Sequence, residues 1–501
     1  MDFKGFGTTR NPRLKIFTIG IIYCLSICND IFELSRGVAV NSELMQNDYF
    51  RTMKHTIFIF AAAALILASA VRAWAQGPDY DTQFTSGPDS EQDFVISKSA
   101  DYDTWFTSER LRVDFILAGD ADSQQAYLSG LMKECAWAGS RESLIDPFRY
   151  GEYMFEVWSG DTLVYSKGFS TLFQEWRTTP EAREVSRAYN QSVWMPFPKN
   201  EVCIILSERV KEAGESGAAG GFREIFSCTV DPGNALVSRE AAPDYAITPL
   251  LVSGEMGNKV DLLFVAEGYT VGQMDKFHKD CRKFMEYLFS MEPYKSRMDD
   301  FNVSAVDVVS PEQGTDIPDL GIWKHTALNS HFYTFYIDRY LTVTDYKSIA
   351  DNVAGVPFDV IFIVVNEEKY GGGGIYNSYA LGTSGDGLSY QVFAHEFGHS
   401  FAGLGDEYFT SDVAYENYYN TDIEPWEPNI TTMIDFAGKW KDMIDYGEWD
   451  EGQVGIHEGG GYMAKGVYRS REDCRMRTNT APDFCPVCQR AINRMIDYYC
   501  R

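Results

Sequence analysis

The rhythm of hydrophobic positions changes once along the chain. Between residues 76 and 243, short alternating or aromatic-rich runs recur at 111–117, 153–158, 162–165, 193–197, 203–206 and 224–230, each bounded by turn residues. Alternation with period two puts every second side chain on one face, and many short runs at this spacing predict an antiparallel β-sandwich. The glycine-rich stretch 214–221 reads as a long hairpin loop and 241–249 as a linker. Beyond it the texture becomes α/β. Residues 260–266 and Val360–Val365 are unbroken β-branched and apolar runs, as expected of strands buried on both faces, while 274–291 has helical spacing. The expected fold is multidomain, an N-terminal antiparallel β-sandwich over 76–243 followed by an α/β domain over 244–501. Four glycines at 371–374 interrupt the second region. Alone they would be a flexible connection; between a buried strand and the motif below, they also read as a loop lining substrate.

The first 75 residues have a different pattern. From Met53 a basic start is followed by an apolar run over 56–70 and by Ala73-Trp74-Ala75, the order of a secretory signal cleaved after Ala75. Residues 1–52 then read as an upstream extension of the gene start rather than a domain, since the apolar run at 16–27 is short of the roughly 20 residues a membrane span needs. The 501 residues carry a net charge of -28; without residues 1–75 they keep 36 Lys/Arg against 67 Asp/Glu, a net charge of -31. Such acidity excludes nucleic acid and anionic lipid as partners. The expectation is an exported, periplasmic or secreted bacterial protein with no membrane insertion after signal cleavage. Residues 79–86 echo 101–108, and their acidic pairs read as a duplicated polar strand edge before they read as a calcium site.

Chemistry concentrates in Ala394-His395-Glu396-Phe397-Gly398-His399. On a helix, two histidines four residues apart share a face, so both imidazoles reach one ion while Glu396 projects beside them. This is the zincin arrangement: two imidazoles and a third protein ligand hold Zn2+, and Glu396 acts as general base. After the motif, Gly403 and Gly405 can end the helix and turn the chain, and Asp406 is the expected third ligand. A metzincin places its glycine and last ligand seven and ten residues after the first His; here Gly403 and Asp406 fall eight and eleven after His395, which leaves Glu407 and His457 as alternative ligands. Tyr462 and Tyr468 are candidate oxyanion donors, Tyr468 being preferred.

These residues, together with 370–377, 461–469, Cys474-Arg475-Met476-Arg477 and Phe484-Cys485-Pro486-Val487-Cys488, resemble the IgA peptidase family, number 64 among metallopeptidases. The resemblance spans the chain after residue 75. It implies an N-terminal β-rich domain before a metzincin-like zinc peptidase domain, with His395, His399 and Asp406 as zinc ligands, Glu396 as base and Met476 as the Met-turn residue beneath the metal. It further implies a protein or peptide substrate, immunoglobulin A being the namesake, and hence a zinc-dependent endopeptidase. A binding module with a vestigial zinc site and a zinc-dependent amidase are the alternatives. Of the eight cysteines after residue 75, Cys474, Cys485, Cys488 and Cys500 cluster in sequence; in an exported chain they read first as disulfides, with a second, structural zinc as the alternative.

Overall fold

The computed structural model describes residues 101–211, 221–410, 418–447, 449 and 452–501. The signal segment, the upstream extension, the 79–86 repeat copy and nearly all of the glycine-rich 214–221 stretch lie outside these residues. At the second repeat copy, the Asp101 carboxylate accepts from the Asp103 amide and the Thr104 hydroxyl, capping the short helix Tyr102–Trp105. These acidic residues serve the local turn.

Eight strands build the N-terminal region: β1 (Phe106–Gly119), β2 (Gln124–Ala136), β3 (Tyr153–Ser159), β4 (Thr162–Phe169), β5 (Arg187–Pro198), β6 (Val202–Arg209), β7 (Phe222–Val230) and β8 (Val237–Ser238). They form two four-stranded sheets, β5-β1-β2-β8 and β4-β3-β6-β7. All pairs are antiparallel except β2 with the two-residue β8. Phe115 of one sheet meets Phe155 and Phe226 of the other at ring separations of 6.4 and 5.5 Å, so the inward-facing positions of the alternating pattern close on each other.

The second region is organised by a mixed six-stranded sheet. Its strands are β9 (Ile247–Leu251), β10 (Val260–Glu267), β11 (Phe301–Val306), β14 (Val360–Val365), β15 (Gly372–Ile375) and β16 (Tyr379–Thr383); the short pair β12 (Ser330–His331) and β13 (Thr342–Val343) lies in the intervening connection. The order is β15-β16-β14-β10-β11-β9, with a parallel centre and an antiparallel strand at each edge. Part of the expected linker is thus the edge strand β9. Pro249 is tolerated there because an edge strand need not donate on both sides.

The unbroken apolar runs are explained by burial on both faces. Leu263, Val265, Ile361, Ile363 and Val365 join a core cluster that continues into Phe115, Phe155 and Met195 of the N-terminal sheets. The alternate residues Leu262, Phe264, Phe362 and Val364 face a second cluster. There they meet helix Met274–Leu288, through Phe277, Cys281, Phe284 and Leu288, and helix Ser389–Ala402, through Phe393 and Phe397. A buried ionic network adds direction to this packing. Arg110 and Arg112 of β1 pair with Glu134 at 2.8 and 3.0 Å, and Arg112 reaches Asp351 of helix Tyr346–Asn352 at 2.8 Å. The two sequence regions therefore share a core within one compact unit. A three-stranded sheet, β17 (Ile430–Thr431), β19 (Met463–Arg469) and β18 (His457–Gly460), precedes the C-terminal helix Pro486–Tyr499.

Candidate metal centre and cleft

Helix Ser389–Ala402 carries the histidine motif and ends at Gly403, whose φ of 64° requires the left-handed conformation glycine favours. The Leu404 amide donates to the Gly398 carbonyl and the Gly403 amide to that of His399, the bond pair that reverses a chain at a helix end. The reversal returns Asp406 to the histidine face. Asp406 Oδ1 lies 3.0 Å from His395 Nε2 and 3.3 Å from His399 Nε2, and the two Nε2 atoms are 3.0 Å apart. Asn429 clamps the returning loop by accepting from the Gly405 amide at 2.7 Å and donating to the Gly405 carbonyl at 2.9 Å.

Hydrogen bonds set the imidazole tautomers. His395 Nδ1 faces the Arg475 carbonyl at 3.0 Å and His399 Nδ1 the Leu404 carbonyl at 2.5 Å; a carbonyl only accepts, so each Nδ1 carries the proton. Both Nε2 lone pairs then converge on Asp406 Oδ1, an atom with no hydrogen-bond donor of its own. Three electron-rich atoms converging this way suit a cation, and the two-His, one-carboxylate donor set suits Zn2+. Without a cation the same groups pair by charge: against the cost of burial, His399 and His395 hold the Asp406 carboxyl far below the usual range, and Asp406 raises His399 to about 9 despite its burial, so a bound cation would take the place of the proton His399 otherwise carries on Nε2. Burial pushes the Glu396 carboxyl upward, partly opposed by the two histidines.

Glu407 and His457 are not brought to this centre. Glu407 is fully buried beside Cys485 and Cys488, and His457 lies on β18 outside the cleft. Met476 is fully buried beneath the motif helix, where a Cβ at Gly398 would come within 2.8 Å of its Sδ. The preferred oxyanion donor Tyr468 needs correction: it sits on β19, held by pairing with β17 and β18, and does not line the cleft. Tyr462 does, and its hydroxyl donates to Asp406 Oδ2. Tyr408 stacks on His395, and Arg339 lies over the Tyr408 ring.

Three of the four glycines, Gly372 to Gly374, belong to strand β15, hydrogen-bonded to β16 on one side and lying along the motif helix; they line the cleft, as the second reading of this stretch expected, but as a strand and not a loop. A Cβ at Gly372 would come within 2.6 Å of Val392 Cγ1, and one at Gly374 would collide with the Glu396 carbonyl and approach His399 Cβ at 3.0 Å. Close approach of strand to helix, not flexibility, requires glycine here. Gly374→Val is expected to destabilise the protein by about 1–3 kcal/mol, whereas Gly387→Ala, which meets nothing within 4 Å, should be close to neutral. Urea midpoints at unchanged slope check both.

The cleft draws on both regions. Thr171, Gln174 and Glu175 come from the N-terminal region, while β15, Arg339 and the histidine centre come from the second. None of the N-terminal contributors could be singled out in sequence, because helix Leu172–Trp176 is brought to the site only by the shared core.

A strand edge laid along a histidine- and carboxylate-lined cleft is the architecture of a peptidase. The chain belongs to the IgA Peptidase M64 family: that family's model matches residues 248–450 and 447–496, and the model described as Peptidase M64 N-terminus matches residues 101–216. No curated protein matches the chain.

Proposed function

We propose that the protein is an exported, zinc-dependent endopeptidase acting on secreted or host proteins, with immunoglobulin A among the candidates. The convergence of His395 Nε2, His399 Nε2 and Asp406 Oδ1 beside Glu396 carries this reading. Bound zinc supplies Lewis acidity that makes water nucleophilic near neutral pH. Glu396 accepts the proton from the attacking water and delivers it to the departing amine. Tyr462 fixes Asp406, and Arg339, the sole Lys or Arg among the described lining residues, balances negative charge developing on the scissile carbonyl.

Substrate orientation follows from β15. It ends the six-stranded sheet, and beyond Gly372, whose carbonyl accepts from Leu341, its outer edge has no ladder partner among the described residues. An extended peptide can add there as a further strand, which favours a polypeptide over a small amide. Export rests on the signal pattern of residues 53–75, and among the described residues no helix is long and apolar enough to cross a membrane. The test is incubation of the purified protein with immunoglobulins and secreted glycoproteins, reading new N-termini by mass spectrometry. Chelator-sensitive cleavage at defined bonds is expected; turnover of small acylamides alone would establish the amidase instead.

Charge in the cleft adds a pH dependence. Burial raises Glu175 to about 7, opposed by the hydrogen bond from Tyr340. The group is neutral below that pH and anionic above it. For a peptide presenting Lys or Arg near the scissile bond, KM should therefore fall as pH rises through about 7, and Glu175→Gln should weaken that dependence while leaving kcat nearly unchanged, the remainder coming from Glu427, which burial in the same cleft also raises to about 7. Steady-state kinetics from pH 5.5 to about 8.5 on one basic and one neutral peptide checks this.

A further inference from the structure

We infer that Glu407, Cys474, Cys485 and Cys488 form a second metal site, a closed structural zinc centre behind the catalytic one. The four side chains are fully buried, and their ligand atoms lie within 4.8 Å of one another. Cys474 and Cys488 Sγ are 3.8 Å apart, and Glu407 Oε1 lies 3.3 Å from Cys488 Sγ and 4.0 Å from Cys485 Sγ. A disulfide requires about 2.05 Å between sulfurs. Tetrahedral zinc with Zn–S bonds of about 2.3 Å separates two sulfurs by about 3.8 Å.

The surroundings suit thiolates. The Cys485 amide donates to Cys474 Sγ at 3.2 Å and the Cys488 amide to Cys485 Sγ at 3.5 Å, while Ser470 Oγ lies 3.2 Å from Cys485 Sγ. Cys485 is also the N-cap of helix Pro486–Tyr499, whose positive end favours anionic sulfur. Asn429 donates to Glu407 Oε1 at 3.0 Å, whereas the buried Oε2 has no partner. With four protein donors no coordination position is left for substrate, so the site is structural.

Its place in the fold gives it a purpose. Asp406 and Glu407 are consecutive, one turned to the histidines and the other to the cysteines. The Glu407 amide donates to the Met476 carbonyl at 2.8 Å, and the neighbouring Arg475 carbonyl orients His395. A metal here cross-links the loop carrying the third catalytic ligand to the C-terminal helix. Cys500, whose thiol faces the Asp300 carbonyl, stands apart from the cluster.

The test uses the full chain with His395→Ala/His399→Ala, which empties the catalytic centre. Elemental analysis is expected to find about one zinc per chain, and the cobalt-loaded protein to show a near-ultraviolet thiolate-to-metal charge-transfer band. Adding Cys488→Ser should remove both. Should that triple variant fail to fold, the zinc absorption fine structure of the double variant decides by itself, sulfur neighbours at about 2.3 Å being expected. A metal-free double variant, zinc with only nitrogen and oxygen neighbours, or a disulfide within the triad in unreduced peptides would overturn the inference.

Discussion

Glu396→Gln is expected to lower kcat by about 10²–10⁴-fold with zinc content and KM little changed. Glutamine keeps the shape of the side chain where it meets Gly372 of β15, so packing of strand on helix survives. What disappears is the acceptor for the proton of the attacking water. The position also tests the binding-module alternative, because a structural or vestigial zinc has no use for a base lodged against its ligands. A substitution that left hydrolysis intact would remove Glu396 from the mechanism. Peptide kinetics with parallel elemental analysis gives the answer.

Asp406→Ala should abolish activity by a different route. It removes the only carboxylate facing both Nε2 atoms among the described residues, so zinc is expected to be lost from the catalytic centre; the penalty should exceed the roughly 10–100-fold cost of losing an outer-sphere partner. It also removes the Asp406 carboxylate to which the Tyr462 hydroxyl donates and the charge that holds the two imidazoles together. The separate Asn429 clamp on Gly405 should preserve the loop, so the variant is expected to unfold cooperatively but empty at this centre. Zinc analysis and thermal unfolding measured together distinguish metal loss from misfolding. Full zinc occupancy with full activity would return the third-ligand role to another residue.

The grouping of Glu396 and Asp406 with the two histidines was legible in the chain because it is local. His395, Glu396 and His399 lie within one helical turn and a half, and the glycines that turn Asp406 back follow immediately. Likewise, the continuous apolar runs of β10 and β14 declare strands buried on both faces. What sequence could not convey is long-range approach. In sequence the four glycines read equally as a flexible connection and as a stretch lining substrate; seen against the helix, a Cβ at Gly372 or Gly374 does not fit. Glu175, Asn429 and Arg339 reach the site from distant segments, and no periodicity marks them. Tyr468 and Tyr462 are equivalent by composition; a left-handed turn at Tyr462, φ 66°, directs that one to Asp406 while strand pairing holds Tyr468 elsewhere. Glu407 and Asp406 are neighbours with different destinations, which only the cysteines from residues 474–488 reveal.

The most direct test of the account is an anomalous-scattering map, collected at the zinc absorption edge, from crystals of the protein purified without chelator. The account predicts a peak bounded by His395 Nε2, His399 Nε2 and Asp406 Oδ1, within about 2.2 Å of each, and open toward β15. A map with no peak among these three atoms, from protein that still hydrolyses peptides, would contradict it.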